Sequence, residues 1–152
     1  MAKSELTKQI ELAIFHTLKK MGVYMCSEVG IGMIGSSREI VDFLSFDSKG
    51  IWRCYEIKIS KADFNSKCKH TFVGHFNYYT MTKELYEKVK DKIHMNVGCY
   101  ILSGDQVYCI KKARKVELGV FEEILRYSFM KSLSREFDKV MKKNYAKRLR
   151  SK

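Results

Sequence analysis

The stretch that decides the fold is REIVDFLSFDSKGIWRCYEIKIS, residues 38–60. Two segments rich in Val, Ile, Phe and aromatic residues flank DSKG, which reads as a tight turn between paired strands at roughly 38–46 and 51–59. Alternation assigns the side chains to faces. In the first strand Ile40, Asp42, Leu44 and Phe46 share one face, and Val41 and Phe43 take the other. In the second, Trp52, Cys54, Glu56 and Lys58 face together, against Ile51, Tyr55, Ile57 and Ile59. Both faces are apolar apart from the charges, which is the pattern of a sheet covered on both sides.

A buried, unpaired carboxylate costs several kcal/mol, and two carboxylates that approach each other repel. Lys58 alone leaves the group Asp42, Glu56 and Lys58 net negative, so a divalent cation is the natural complement. A structural salt bridge from Lys58 to either acid is the plainer alternative. The combination is more specific than any one of its residues. Two acids on neighbouring strands offer oxygen ligands to Mg²⁺. A lysine just beyond the second acid, on the same face, can orient or deprotonate a water and stabilise charge on a phosphate.

The rest of the chain supplies layers for such a sheet. Residues 4–21 read as an amphipathic helix with Ser4 as N-cap and Gly22 as its stop. VYMCSEV (23–29) is a strand, and GIGMIGSS a glycine-bearing connection. SKADFNSKCKH is polar and compatible with a helix. Residues 75–81 read as a strand, 82–93 as a helix capped by Thr82, and 97–103 with 106–113 as a second hairpin. A long helical tract then begins near Gly119, with Phe121, Ile124, Leu125, Met130, Leu133, Phe137, Val140 and Met141 along its apolar stripe. The stripe can pack on the sheet or against a second copy, which would make a homodimer. The expected class is α/β: a central mixed sheet flanked by helices, over residues 1–118, with a basic C-terminal helical extension over 119–152.

REIVDFLSF…CYEIKIS is similar to the signature of the PD-(D/E)xK nuclease superfamily, with Asp42, Glu56 and Lys58 as the matching residues and Val41 in place of the proline. The element order over roughly residues 4–81 matches that superfamily's restriction endonuclease-like αβββαβ core. Within the superfamily, EIKISKADF resembles the MmcB-like DNA-repair endonucleases, which carry a Ser-x-Ala-Asp-Phe stretch after Glu-x-Lys. The resemblance covers about residues 25–80 and has no counterpart for the C-terminal helix. It implies an enzyme, a Mg²⁺-dependent deoxyribonuclease in which Mn²⁺ also serves, acting in DNA repair, restriction or a mobile element. It also implies a further acid, for which Glu28 at the end of the first strand is the choice and Glu11 the runner-up. Glu28, Asp42 and Glu56, with the main-chain carbonyl of Ile57, would hold the metal, and Lys58 would activate the water. The rival expectation is a catalytically inactive nuclease fold that only binds nucleic acid.

Charge points the same way. The 152 residues carry a formal net charge of +12, as expected of a chain that meets a polyanion. DNA is the expected partner, with RNA left open. Lys61, Lys67, Lys69, His70 and His75 follow Lys58 and can hold phosphates, as can Lys142, Lys143, Lys147, Arg148 and Arg150 at the basic C-terminal end. No apolar run approaches the ~18 residues of a membrane span, and the N-terminus does not read as a signal peptide, so a cytoplasmic protein with reduced cysteines is expected. Cys26, Cys54, Cys99 and Cys109 read as core thiols of strands. Cys68, His70 and His75 lack a fourth zinc ligand at standard spacing. GIGMIG has the wrong spacing for a dinucleotide loop, Tyr78 and Tyr79 read as sheet packing, and Asp63 as a brace for the helix that follows Lys58.

Overall fold

The computed structural model describes residues 3–32, 39–66 and 72–152. Its elements run α1 (Glu5–Leu18), β1 (Val23–Ile31), β2 (Glu39–Asp47), β3 (Trp52–Ile57), α2 (Lys61–Phe64), β4 (Phe76–Met81), α3 (Lys83–Val89, continued by a 3-10 turn at Lys90–Lys92), β5 (Gly98–Ser103), β6 (Gln106–Lys111) and α4 (Glu122–Arg150). The strands form one six-stranded mixed sheet in sequence order. β1–β2, β2–β3 and β5–β6 pair antiparallel, whereas β3–β4 and β4–β5 pair parallel. The mixed α/β architecture flanked by helices, with a long C-terminal helix, is thus the one expected.

Helices cover both faces. On one, Ile10, Ala13 and Ile14 of α1 pack on Phe43, Tyr55, Ile57, Tyr78 and Val107. On the other, Leu125 and Phe129 of α4 join Cys26, Leu44, Trp52 and Cys54. Phe64 of α2 and Leu85 and Val89 of α3 cover Tyr79, Met81 and Cys99. Glu56 pairs with Tyr79 in the parallel β3–β4 register, so it shares the α2–α3–α4 face, between two apolar clusters that Phe72 joins.

Helix α1 is shorter than expected. Its last backbone bond is donated by Lys19, and Gly22, with φ +80°, shapes the turn into β1 instead of ending the helix. The strict alternation expected for β2 also fails at one place. Val41 belongs with Leu44 in the cluster beneath α4, while Phe43 turns to α1. The cause lies across the ladder. Ser27 pairs with Phe43 and Val29 with Val41, so Glu28 stands opposite Asp42, and Glu28 has φ +52°. A left-handed residue inside a strand rotates the following side chains, and both strands change phase there.

β1 is an edge strand, and α4 lies along it. Gly32 N–H donates to Ser128 Oγ at 3.0 Å, and the Arg135 fork donates to the carbonyls of Ser27 (3.0 Å) and Glu28 (2.9 Å). On a regular strand successive carbonyls point opposite ways; the turn at Glu28 presents both to one guanidinium. Covering an edge this way removes an aggregation-prone row of backbone groups.

Only the first part of α4 packs, burying Leu125, Ser128, Phe129 and Ser132. Leu133, Phe137, Val140 and Met141 are exposed, so the stripe leaves the sheet near Leu133. Cys26, Cys54 and Cys99 are buried thiols, but Cys109 is exposed on β6, contrary to expectation. Among the described residues no helix is long and apolar enough to cross a membrane.

A carboxylate pair and its lysine

Asp42 comes from β2 and Glu56 from β3, adjacent antiparallel strands. Ile57 N–H donates to Asp42 Oδ2 at 2.8 Å, and Asp42 N–H approaches Glu56 Oε1 at 3.5 Å. Each acid therefore reaches for the other strand's backbone, which draws the two carboxyl groups together where the β2–β3 ladder ends. Glu56 is only 6% exposed and Lys58 5%, and Asp42 is half-buried.

Burial dominates the electrostatics. Desolvation, then the Asp42 charge, pushes Glu56 up to about 8. Desolvation also raises Asp42, against the opposing pull of the Ile57 N–H, a hydrogen bond with Glu56 and the Lys58 charge. The two acids compete for one negative charge, so near neutral pH the pair retains a proton.

Lys58 does not close a salt bridge on this pair. Its Nζ donates to the Asp63 carbonyl at 3.3 Å and lies 3.9 Å from Asp63 Oδ1. Asp63 in turn accepts from Ile59 N–H through Oδ2 at 3.1 Å, and its own N–H donates to Ser60 Oγ at 3.0 Å. Asp63 thus braces the turn into α2, as expected, and adds a role that the expectation missed, which is to receive the lysine. The signal for it is Ser60-x-x-Asp63, the spacing of a capping box directly after Glu-x-Lys.

Glu28 is placed opposite Asp42, but its carboxylate goes elsewhere. It pairs with Lys3 Nζ at 3.0 Å, and the same ammonium also pairs with Glu11. Burial alone would lower the Lys3 ammonium; its hydrogen bonds to Glu11 and Glu28 raise it instead. Both residues considered for the further acid therefore share an internal cation. Among the described residues no group of three or more His, Cys, Asp or Glu is assembled to hold a metal. What the fold preforms is a two-carboxylate site. Two carboxylates still suit Mg²⁺, which keeps several waters and completes its shell with substrate oxygens.

The expected phosphate contacts divide into three groups. Lys61 is exposed at the start of α2, three residues beyond Lys58. Lys142, Lys143, Lys147, Arg148 and Arg150 are exposed on the projecting end of α4. Lys67, Lys69 and His70 lie outside the described residues, as does Cys68. His75 is structural, its Nδ1 accepting from Trp52 N–H at 3.0 Å. A cavity of about 530 Å³ opens on the α1 face, walled by Asp47, Arg53, Tyr55, Tyr78 and Tyr100, and among the described residues none of the expected site residues lines it.

No family model matches the chain, and no curated protein matches it. Among solved structures it is similar to the SPO1766 protein of unknown function from Silicibacter pomeroyi, with a TM-score of 0.73 and 16% sequence identity. That likeness covers 92% of this chain and 94% of the other, and at such identity it speaks to the fold alone.

Proposed function

We propose that this chain is a Mg²⁺-dependent nuclease that hydrolyses DNA phosphodiester bonds, with Mn²⁺ able to substitute. The observation that carries the reading is the opposition of Asp42 and Glu56 on adjacent strands, with the Lys58 ammonium hydrogen-bonded to the Asp63 carbonyl. Asp42 and Glu56 would hold the ion, with the Ile57 carbonyl as a further oxygen donor. When bound, Mg²⁺ would supply charge to the phosphoryl oxygens and acidify a water. Lys58, nearly dry, orients that water or donates from Nζ to the phosphate. Glu28 braces the N-terminal segment through Lys3 and stands beside Asp42 through its backbone. Lys61 and the basic end of α4 meet neighbouring phosphates, so DNA affinity should fall steeply with salt.

The catalytically silent alternative, a fold that binds nucleic acid without cutting it, draws on one observation: no third acid converges among the described residues. Plasmid, linear and branched DNA incubated with the pure protein and Mg²⁺ or Mn²⁺ separates the two. Cleavage should fall by about 10²- to 10³-fold in Asp42→Asn and Lys58→Ala, each removing a group from the reacting centre. A wild type that cuts nothing, or variants that cut equally well, would sink the enzyme and favour the binding module.

A further inference from the structure

Lys58 is an oddity of this site. A nearly dry ammonium beside one buried and one half-buried carboxyl group is drawn towards them, since opposite charges attract strongly where the dielectric is low. Yet its hydrogen bond goes to the Asp63 carbonyl, and its ion pair, at 3.9 Å, goes to the Asp63 carboxylate. That acceptor is held from both ends. Asp63 Oδ2 takes the Ile59 N–H, Asp63 N–H is fixed by Ser60 Oγ, and the Asp63 carbonyl also receives Ser66 Oγ at 2.7 Å.

We infer that Asp63 is a positioning residue whose work is to draw Lys58 away from Asp42 and Glu56 and so keep their oxygens open to a divalent cation. Without that counter-anion only the main-chain carbonyl of residue 63 still accepts from Lys58, and the ammonium swings onto the pair and fills the place of the ion, as Lys3 bridges Glu11 and Glu28. The inference rests on the metal site of the proposed function. It predicts an effect that neither a simple bracing role nor the loss of one negative charge produces: removing Asp63 weakens metal binding, and removing Lys58 as well restores it.

The experiment is a double-mutant cycle read by Mn²⁺ titration calorimetry, with circular dichroism as the check on folding. Asp63→Ala, and Asp63→Asn, whose carboxamide oxygen can still accept the Ile59 N–H, should each weaken Mn²⁺ binding by about 10-fold, the lower range for groups that orient metal ligands. Lys58→Ala in either background should return the affinity to that of Lys58→Ala alone, a non-additive outcome. Variants that bind Mn²⁺ like wild type, or a weakening that Lys58→Ala leaves in place, overturn the positioning role while the metal site stands. A wild type without Mn²⁺ binding overturns the site and this inference together.

Discussion

Two pairs of acids stand near the β1–β2 ladder, and they are treated differently. Glu11 and Glu28 close on one ammonium, that of Lys3, at a half-exposed position where the Glu28 side chain retains 44% of its surface. Glu56 lies deeper, and among the described residues no cation bridges it to Asp42; the nearby Lys58 meets Asp63 instead. The first pair, still net negative, is bridged as folded by a cation of the chain. The second lacks that bridge and retains a proton near neutral pH. Proximity of carboxylates therefore says little about function; what decides is whether the chain supplies its own counter-ion.

The largest effect on stability should come from Asp42 and Glu56, the unbridged pair. Glu56 has a folded pKa near 8, above its ordinary 4.5, so the native chain binds a proton that the unfolded chain has released over that window. Stability of the metal-free protein therefore falls as pH rises from about 4.5 to about 8. Glu56→Gln should raise the unfolding free energy at pH 9 by roughly 1–4 kcal/mol, with the gain vanishing at pH 4. Urea titrations at the two pH values measure it, and a Glu56→Gln variant less stable than wild type at pH 9 would break the contrast. The bridged pair should respond weakly. Lys3→Ala, at a partly exposed bridge, should cost at most about 1 kcal/mol and leave Mn²⁺ binding unchanged. A loss of Mn²⁺ affinity in Lys3→Ala would show that the pairs are coupled.

What was legible in the sequence was the contrast between charge and apolar pattern. Asp42, Glu56 and Lys58 stood out because strand periodicity made everything around them greasy, and the structure brings those residues together. The change of phase at Val41 was not legible. It depends on Glu28 adopting φ +52° without a glycine to announce it, and on Arg135, 107 residues away, holding the carbonyl that this turn presents. The exit of α4 from the sheet was hidden for another reason. An apolar stripe continues from Leu125 to Met141, but burial depends on where the sheet edge ends, which helical periodicity does not encode. The place of Glu28 in the chain puts it beside Asp42, yet a lysine near the N-terminus takes its carboxylate, which the order of residues does not reveal.

Mn²⁺ titration calorimetry of wild type and Asp42→Asn from pH 6 to 9 decides whether Asp42 and Glu56 form an open cation site. One bound ion is expected, with an affinity that rises by up to about tenfold per pH unit until Glu56 has lost its proton, near pH 8, and a signal that disappears in Asp42→Asn. Absence of binding in wild type, or binding indifferent to both pH and Asp42, would contradict such a site.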